Sequence, residues 1–508
     1  MRIERRRYQE FIIAEILKAK KMGKNLIVEL DAGMGKRIIS YLLIRYLSPD
    51  DNILIITPSQ ASLKDTVSTF KQLYKSEKKN VDEIGYVSAG IPAKMKRSML
   101  THKRVVVATP ISLVNILRKE PSLINRFSVI IINEVDKVVR RAAEKEEDSD
   151  LPVITTAKEI SEKTASKRKK IVLTYPWNEL KNLIPKDVCL IGMSGTLRDK
   201  HILKTLSGDV IFKPELETLV ETLFPKDRKL EIITMDMLLS RTDAYVYTIR
   251  NITIVNKIEV RDEKIETLVN VITDEITKTA EKIATRYSKM FAEKNIEKIE
   301  KALPLIPETD YLKRKFLRLA LIRRFILASV PEHYSRFLKR SVVRKILENK
   351  TGSKIDDLIP EKSSKILKII EMTKNWISLN KKVTILTSFI RVAKKIKQEL
   401  EKLGLKTYLI TGQVLDKGQI LEKFKHDSST SVLVMTPVGE RDIDLAEIDL
   451  IIVHDIISTV KTMYQRIKRG RKCIVAILYY GNTFEERKVN KLLERMKKQY
   501  PWSLKVEI

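Results

Sequence analysis

The stretch Asn25–Leu43, NLIVELDAGMGKRIISYLL, decides the fold of its surroundings. A short apolar run gives way to the loop Asp31-Ala32-Gly33-Met34-Gly35-Lys36, and an apolar pattern with helical spacing follows at once. When a strand is followed by a glycine-rich loop and a helix, the backbone N–H groups of the loop can surround an anion. The first turn of the helix adds the positive end of its dipole. We therefore predict a nucleotide phosphate site at Gly33, Gly35 and Lys36, with the lysine reaching the outer phosphates.

Position 37 departs from this pattern. A Ser or Thr usually follows the lysine, and its hydroxyl ligates the Mg²⁺ ion that accompanies ATP. Here the residue is Arg37, so a cation stands where a metal ligand belongs. The sequence predicts a site that binds ATP with an impaired Mg²⁺ site.

Composition indicates a globular protein with an anionic partner. The chain has 508 residues, enough for about three domains, and 43% of them are hydrophobic. Lys and Arg number 97 against 65 Asp and Glu, a formal net charge of +32. Nucleic acid is the leading interpretation, because many dispersed cations release counterions from a phosphate backbone. The alternative is a Lys- and Glu-rich surface of the kind found in proteins from hot environments, although such surfaces usually balance their signs.

Cysteine usage and hydropathy exclude several classes of protein. Cys189 and Cys473 are the only cysteines, and neither has a His neighbour at ligand spacing. We therefore expect no disulfide framework, zinc site or iron–sulfur cluster. The N-terminus MRIERRRYQEF has no apolar signal core, and no run approaches a membrane span. These absences predict an intracellular, cytoplasmic protein without a membrane partner, associated with the nucleoid if the source is prokaryotic.

Polar residues follow each further strand of the first part of the chain. The predicted strands at 52–56, 104–108 and 128–132 end in Thr57-Pro58-Ser59, Thr109-Pro110 and Asn133-Glu134-Val135-Asp136. Strands that alternate with helices predict a parallel sheet with a site along the edge where the strands end. Upstream of the phosphate loop, Tyr8 and Gln9 are placed to read an adenine by stacking and amide hydrogen bonds. The alternative for this segment is an ordinary basic N-terminus.

A helical insert is predicted between about Tyr245 and Lys365. Tyr245, Tyr247 and NITIVNKIEV suggest a strand at its start, and apolar residues then recur at helical spacing. Its densest part interleaves aromatic side chains, which are more typical of a core, with cations that predict phosphate contact: Lys313, Arg314, Lys315, Arg318, Arg323, Arg324, Arg336, Lys339 and Arg340.

These residues carry a resemblance to superfamily-two helicases, closest to the Hef and FANCM branch, whose helicase part accompanies XPF-type nucleases. RRYQ resembles the family's RxYQ adenine motif, DAGMGKR its PTGLGKT, TPSQASLKD its TPSKPLV, NEVDK its DEAH box, and MSGTL stands at motif III. In the second half, VLVMTPVGERDIDLAEIDLIIVHD resembles VLVATSVGEEGLDIPEVDLVV, and YQRIKRGR resembles motif VI, QRxGRxGR. In its overall character the sequence resembles archaeal members of this family.

The resemblance implies an α/β fold of two RecA-like parallel-sheet lobes with a helical, thumb-like insert between them. We place lobe 1 at residues 1–220, the DNA-binding insert at 221–365 and lobe 2 at 366–508. Glu134, Arg469 and Arg471 correspond to the catalytic positions, with both arginines as remnants. Nucleotide-binding positions are Tyr8, Gln9, Gly33, Gly35, Lys36, Arg37, Asp444 and Gln465. Nucleic-acid contacts are expected from the insert cations and from Thr57, Pro58, Ser59, Thr109, Pro110 and Thr436.

The departures from the family fall on catalysis. Asn133 replaces the Asp that holds Mg²⁺, Asp136 replaces the His that links the nucleotide site to motif III, and Asp442 replaces a Gly. Motif VI has Lys468 for Gly and is one residue short. Positions 37 and 133 supply the two protein contributions to one metal ion, so their loss should cost several kcal/mol of transition-state stabilisation. One interpretation is that Arg37 takes the metal's place, pairing with phosphates or with Glu134.

Three functions follow as hypotheses. The first is an ATPase-deficient pseudo-helicase of DNA repair or recombination that binds forked or branched DNA and stimulates an XPF-type nuclease. The second is an active ATP-dependent DNA translocase in which Lys36, Glu134 and Arg469 suffice. The third is a non-catalytic protein that binds RNA or the nucleoid.

Overall fold

A computed structural model describes most of the chain. The described residues are 4–140, 172–173, 176–198, 200–204, 210–224, 228–287, 303, 306–340, 342–414, 416–427, 431–437, 448–456, 459–468, 470 and 472–507. The chain divides into two compact units: the first contains residues 1–145, 169–203 and 212–251, and the second contains residues 146–168, 204–211 and 252–508.

The first unit is built on a seven-stranded parallel sheet with the order β11-β1-β8-β5-β2-β4-β3. The strands are β1 (Asn25–Glu29), β2 (Asn52–Ile56), β3 (Ile84–Val87), β4 (Val105–Ala108), β5 (Phe127–Asn133), β6 (Val139–Arg140), β7 (Val172–Leu173), β8 (Cys189–Ser194), β9 (Lys200–Lys204), β10 (Val210–Pro214) and β11 (Leu230–Ile233). β6 pairs with β7 and β9 with β10 in separate two-stranded sheets. The central strands are continuous Ile, Val and Leu runs because helices cover both faces of a parallel sheet.

Helices of this unit follow the strands that they connect. They are α1 (Arg7–Lys21), α2 (Lys36–Tyr46), α3 (Gln60–Ser76), α4 (Ala93–His102), α5 (Pro110–Leu117), α6 (Trp177–Leu183), α7 (Glu215–Leu223), α8 (Met235–Arg241) and α9 (Ala244–Arg250). Ser59 caps α3 by accepting the Ser62 N–H at 3.2 Å, and Pro110 occupies the first turn of α5, where its missing N–H costs nothing.

The second unit contains another seven-stranded parallel sheet, ordered β14-β15-β13-β16-β17-β12-β18. Its strands are β12 (Thr253–Val260), β13 (Val383–Leu386), β14 (Thr407–Ile410), β15 (Val432–Met435), β16 (Leu450–Val453), β17 (Ile474–Tyr480) and β18 (Leu504–Glu507). Its helices are α10 (Glu263–Arg286), α11 (Tyr311–Ala328), α12 (Pro331–Arg340), α13 (Val342–Thr351), α14 (Ile355–Leu358), α15 (Ser364–Ser378), α16 (Ile390–Glu401), α17 (Lys417–His426), α18 (Val460–Ile467) and α19 (Phe484–Gln499).

The boundaries of the insert differ from the sequence prediction of 221–365. β11 pairs with β1 and so belongs to the first sheet, while β12 pairs with β17 and β18 and so belongs to the second. Residues 245 and 247, predicted in a strand, lie in the helix α9, and the strand begins at Thr253. The insert is therefore the helical segment that follows β12.

The insert and the second sheet share one hydrophobic core. Ile272 and Ile276 of α10 and Phe316 and Ile326 of α11 belong to the same buried cluster as Val434 of β15 and the other central strands of the sheet. An apolar face shared in this way is removed from water only when both parts are folded together. The insert is thus built into the second unit.

Two features are absent from the described residues. None of the helices in the part of the chain that the structure describes has the length and apolar character needed to cross a membrane. Within the same residues, no cluster of three or more His, Cys, Asp or Glu side chains is arranged to hold a metal ion.

Candidate nucleotide site and nucleic-acid interface

The phosphate loop has the predicted strand, loop and helix geometry. Gly33 and Gly35 have φ angles of 81° and 82°, a left-handed conformation that glycine adopts without a Cβ clash. Lys36 begins α2, and its ammonium donates to the carbonyl of Leu30 at 3.0 Å. A Cβ at Gly195 would lie 2.9 Å from that carbonyl oxygen and 3.4 Å from Lys36 Nζ, so glycine is required where β8 ends against the loop.

The base side of the site is formed by Tyr8 and Gln9 at the start of α1. The Tyr8 ring is fully buried, and its hydroxyl donates to the Met34 carbonyl at 2.7 Å. Burial raises the pKa of this phenol above its ordinary value, and the hydrogen bond with Arg6 opposes that shift. Stacking on a base had been expected of Tyr8, but its ring is closed off inside the fold. Tyr8 instead fixes the loop carbonyl.

Gln9 is held so that its carbonyl oxygen remains available. Its Nε2 lies 3.4 Å from both the Met34 carbonyl and the Tyr8 hydroxyl, while its buried Oε1 has no hydrogen-bond partner among the described residues. An unpaired buried acceptor is costly, and the amino group of an adenine is a donor of the required kind. Gln9 therefore fits the predicted role in reading a base.

Two residues at the start of and within α9, Asp243 and Tyr247, also contact the base side of the site. Sequence reasoning did not assign them to it. Asp243 caps α1 by accepting the Tyr8 N–H at 3.0 Å. The Arg6 guanidinium lies 4.4 Å from the centroid of the Tyr247 ring, and Tyr8 meets that ring edge-on at 5.3 Å. The sequence signal was present in the aromatic residue, but its spacing suggested a strand of the insert.

The acidic motif ends β5. Asn133 is buried, and its Oδ1 has no hydrogen-bond partner among the described residues. Glu134 has a φ of 53°, in the left-handed region, and its carboxylate pairs with Lys137. A non-glycine residue in this region stores strain of about 1 to 3 kcal/mol, which the surrounding structure must offset. The catalytic-position carboxylate is thus present, but the neighbouring residue supplies no negative charge to a metal.

Asp136 maintains the connection to motif III. It is 2% exposed and accepts hydrogen bonds from the hydroxyls of Ser194 and, at 3.2 Å, Thr196. A carboxylate accepts both donors, so replacement of the family's His by Asp keeps a direct link between the end of β5 and the end of β8. Asp136 thus joins the ends of these two strands through its two hydrogen bonds.

Arg37 points to a different partner from those proposed for it. Its guanidinium lies 3.8 Å from the Asp65 carboxylate on α3, and the two side chains are 40% and 49% exposed. Glu134 is paired with Lys137 instead. Since an exposed pair of this kind is worth little, Arg37 remains able to turn toward an anion.

The residues present fit the nucleotide better than they fit its metal ion. The left-handed glycines, Lys36 and the unpaired Gln9 oxygen provide for phosphates and a base. At the two positions that would hold Mg²⁺, a guanidinium repels a cation and a neutral amide replaces a carboxylate. If ATP binds here, the residues of this chain would position its phosphates and its base. They would not provide the usual side-chain ligands for Mg²⁺.

An ion-pair cluster that the sequence analysis did not identify fixes the strand leading into the phosphate loop. Arg198 makes two hydrogen bonds to the nearly buried Glu29, at 2.7 and 2.8 Å, and a third to Asp236 at 2.8 Å. The hydrogen bonds with Glu29 raise the pKa of Arg198, which remains charged. Because Glu29 ends β1 and Arg198 follows motif III, the pair ties the loop's strand to the segment after β8.

In the second unit, Asp455 organises the edge of the sheet where the strands end. It accepts from the Thr387 hydroxyl at 3.1 Å, the Ser388 N–H at 2.8 Å and the Ser388 hydroxyl. Burial raises the pKa of Asp455, but contacts with His454, Arg466 and Ser388 together lower it below the ordinary value. Arg466, which sequence reasoning had not selected, is buried and donates to the Asp455 carbonyl at 3.3 Å.

Several predicted residues of this half lie outside the described residues: Asp442, Asp444, Arg469 and Arg471. Gln465 lies on α18 and is partly exposed, next to the buried Arg466. Of the proposed nucleotide or catalytic residues in this half, the structure therefore places Gln465. The assignments of Asp444, Arg469 and Arg471 remain predictions.

The strand-end residues of the nucleic-acid prediction are mostly buried. Thr57 donates to the Ser59 carbonyl at 3.5 Å, and the Thr436 N–H donates to the Ile410 carbonyl at 3.1 Å. Thr109 directly precedes α5, and its side chain makes no capping hydrogen bond. Pro110 is buried, whereas Pro58 and Ser59 are partly exposed. Parallel strands bring Thr57, Thr109 and the phosphate loop to one edge of the first sheet, as predicted.

The insert cations divide into structural and exposed groups. Lys313 is 2% exposed and bonds Glu308 at 2.9 Å, and Arg323 is 5% exposed with its guanidinium 3.5 Å from the Phe484 ring centroid. These two were predicted to contact nucleic acid, but both are part of the folded interior. Lys315 pairs with Glu275 at 2.7 Å, and Lys339 with Asp356 at 2.5 Å. The exposed group also contains Arg314, Arg318, Arg324 and Arg336, while the side chain of Arg340 is not described.

Comparison with known families assigns both halves. Residues 2–199 match the family described as type III restriction enzyme, res subunit, and residues 361–473 match the helicase conserved C-terminal domain. Together with the seven-stranded parallel sheet of each unit, these matches show that the chain belongs to the superfamily-two helicases. The predicted α/β fold with two RecA-like lobes is confirmed.

The fold is similar to that of a particular member of this class. The helicase domain of Pyrococcus furiosus Hef superposes with a TM-score of 0.59 at 16% identity, covering 96% of this chain and 98% of that domain. Saccharomyces cerevisiae Dbp5 bound to RNA and ADP BeF3 gives a TM-score of 0.51 at 11% identity, covering 95% of this chain and 85% of Dbp5. The Hef type of fold that the motifs suggested is thus found over nearly the whole chain.

Curated relatives are more distant in sequence. A Methanocaldococcus jannaschii protein named as an ATP-dependent RNA helicase is 22% identical over 534 residues, covering 97% of this chain and 61% of the relative. The human antiviral receptor RIG-I is 29% identical over 133 residues, and the yeast ATP-dependent RNA helicase Dbp3 is 26% identical over 165. This chain therefore spans 61%, 13% and 28% of the lengths of these relatives.

Proposed function

We propose that this protein is an ATPase-deficient member of the helicase superfamily that binds forked or branched DNA. The observation that carries the proposal is the contrast within one site. Lys36, the glycine loop and Gln9 keep a geometry suited to a nucleotide, while the two metal positions are Arg37 and Asn133. Relaxed selection for hydrolysis, with the fold and basic surface maintained, accounts for this combination.

The nucleic-acid part of the proposal is supported by charge. The net charge of +32 and the exposed arginines of the insert favour a polyanionic ligand, since each phosphate contact releases counterions. The resemblance to helicases that accompany XPF-type nucleases favours branched DNA as the ligand and such a nuclease as the partner. Mixing the protein with an XPF-type nuclease should give a complex and altered cleavage of forks. The absence of both effects would contradict the partnership.

The test of catalysis is phosphate release by the purified chain with ATP and Mg²⁺, with and without forked DNA. We expect no DNA-stimulated release by the wild type, but retained ATP binding that Lys36→Ala abolishes. The double variant Arg37→Thr, Asn133→Asp should gain activity, because it restores a hydroxyl and a carboxylate to the metal. Restoring only one position is the matched control and should give much less.

A second candidate, an active ATP-dependent translocase, is favoured by one observation. Glu134 is retained, and Asp136 contacts both Ser194 and Thr196. The segment 133–136 at the end of β5 is therefore linked to motif III at the end of β8. Wild-type phosphate release that is lost in Lys36→Ala would establish this candidate and exclude the first. Because relatives are named as RNA helicases, competition between forked DNA, duplex DNA and RNA at matched salt decides the ligand.

A further inference from the structure

The exposed arginines of the insert are not equivalent. Among the described residues, Arg324 and Arg336 have no carboxylate within ion-pair distance, in contrast to Lys313, Lys315 and Lys339. Both flank an aromatic stack that reaches the second sheet. A third cation, Arg391, lies close to the same stack in the chain, two residues after Phe389.

The aromatic stack joins the insert to the end of β13. Phe325 of α11 stacks on Phe337 of α12 at 5.2 Å between ring centroids, and on Phe389 at 5.4 Å. His333 meets Phe325 and Phe337 edge-on at 5.5 and 5.6 Å. Phe389 lies three residues after the last residue of β13 and directly precedes α16. The stack thus fixes two insert helices against the edge of the sheet where its strands end.

Three arginines lie next to residues of this stack, one of them in contact with a ring and two by their position in the chain. The Arg324 guanidinium lies 5.9 Å from the Phe389 ring centroid, Arg336 precedes Phe337, and Arg391 lies on the first turn of α16. Burial lowers the pKa of His333, and the positive charges of Arg391 and Arg336 lower it further. All three arginines are exposed. They form a cluster of positive charge, which we call the arginine cluster.

Among the described residues, no carboxylate lies within ion-pair distance of the arginine cluster. The nearby Glu332 lies 3.1 Å from Lys395, and no ion pair of Arg324, Arg336 or Arg391 is found among the described residues. Phe389, the N-cap of α16, makes no side-chain hydrogen bond to the first turn, so the positive end of this helix adds to the charge.

We propose that Arg324, Arg336 and Arg391 bind the phosphodiester backbone of the nucleic acid at the junction of the insert and the second sheet. The proposal rests on the nucleic-acid binding proposed above and gives it a location. Planar guanidinium groups match phosphate oxygens in a two-point geometry that ammonium groups lack. The cluster follows β13 at the same sheet edge as Thr436, which follows the neighbouring strand β15. One backbone segment is therefore held by the insert and the sheet together.

The test compares two triple variants of the full chain. Arg324→Gln, Arg336→Gln, Arg391→Gln removes the arginine cluster. Arg344→Gln, Lys397→Gln, Lys402→Gln is the matched control, because it removes equal charge from cations already paired with Glu348, Glu401 and Glu399. Dissociation constants for forked DNA, and for an RNA of the same sequence, are measured between about 50 and 200 mM salt.

We expect the cluster variant to bind about 10- to 100-fold more weakly and to lose about 2 to 3 from the slope of log K against log salt, since each phosphate contact contributes about 0.9. The control should lose less than about 1 from the slope. Equal losses in both variants would overturn the proposed site while leaving nucleic-acid binding intact. Absence of binding by the wild type would remove the proposed function and the site together.

A separate variant guards against misfolding. Replacing the three arginines by lysine keeps the charge and the long side chains but removes the two-point geometry. This variant should have the melting temperature of the wild type and bind with intermediate affinity. Affinity equal to that of the wild type would contradict the role of the guanidinium geometry. The glutamine variant must also have the melting temperature of the wild type, so that its weaker binding is not caused by misfolding.

Discussion

At the scale of single residues, the sequence shows which side chains have been replaced, but it does not show which partners they contact in the fold. The replacement of Asp by Asn133 and of a hydroxyl by Arg37 is visible in the sequence alone, and it carries the prediction of an impaired metal site. The role of Asp136 is different, because its two hydroxyl donors lie about 60 residues away in the chain. Contacts of this kind come from the fold and cannot be recognised in the sequence.

Gly35 offers a test of the nucleotide site at this scale. An alanine Cβ there would lie 2.8 Å from Gln9 Nε2, and the φ of 82° is strained for any L residue. Gly35→Ala should destabilise the chain by about 1 to 2 kcal/mol and weaken ATP binding, because the Gln9 amide must move. Nucleotide affinity and the free energy of unfolding are measured separately.

Gly90→Ala is the control for this substitution. Gly90 has a φ of 84°, but a Cβ there would have no neighbour within 4 Å. The two alanine variants therefore share a left-handed φ, and only Gly35→Ala brings a Cβ against Gln9. Equal nucleotide affinity in both variants would contradict the assignment of Gln9 to the base.

At the scale of elements, helical periodicity predicted the insert helices well but gave no information on how each cation is used. Lys313 and Arg323 lie in the same basic helix as Arg314 and Arg318, yet the first two are buried and paired. A long basic side chain covers apolar surface as readily as it meets a phosphate. Which of these outcomes applies depends on the neighbouring helix, so the sequence could not sort the cations.

Lys365 and Glu485 form a buried ion pair that joins elements of the second unit. Lys365 on α15 is 2.7 Å from Glu485 on α19 and donates to the Leu327 carbonyl of α11 at 3.2 Å; Glu485 also accepts the Tyr480 N–H at 2.8 Å. The two side chains are 0% and 3% exposed. Lys365→Met should cost about 3 to 5 kcal/mol, because it leaves a buried carboxylate without its cation.

The adjacent surface pair provides the control. Lys368 on the same helix lies 2.7 Å from the exposed Glu371, and Lys368→Met should cost about 1 kcal/mol or less. Adding Glu485→Gln to Lys365→Met should recover part of the loss, since the amide still accepts the Tyr480 N–H. Urea unfolding of the three variants measures this, and a similar cost for Lys365 and Lys368 would contradict a structural role for the buried pair.

At the scale of the whole molecule, the sequence predicted the two parallel sheets, the intervening helices and the edge that carries the phosphate loop. The sequence did not predict the order of the strands within each sheet or the limits of the insert. β12 is sequentially the first strand of the second sheet, yet it lies between β17 and β18, the last two. Pairing between strands more than 200 residues apart leaves no local signal, so residues 252–260 read as part of the insert.

This pairing predicts where the second unit can be cut. A fragment of residues 252–508 keeps β12 with β17 and β18, and it keeps the core that the insert shares with the sheet. We expect it to unfold in one cooperative transition, followed by circular dichroism during heating. A fragment of residues 366–508, the lobe that sequence reasoning delimited, loses β12 and exposes the apolar face that α10 and α11 cover. It should show no cooperative transition or should aggregate.

A third fragment, residues 228–508, controls for chain length. It adds β11, whose partner β1 is absent from the fragment, so its melting temperature should equal that of residues 252–508. If residues 366–508 unfolded cooperatively at the same temperature as the longer fragments, the insert would be an independent domain. The boundary near residue 365 would then be the true one, because the shared core would contribute nothing to the stability of the sheet.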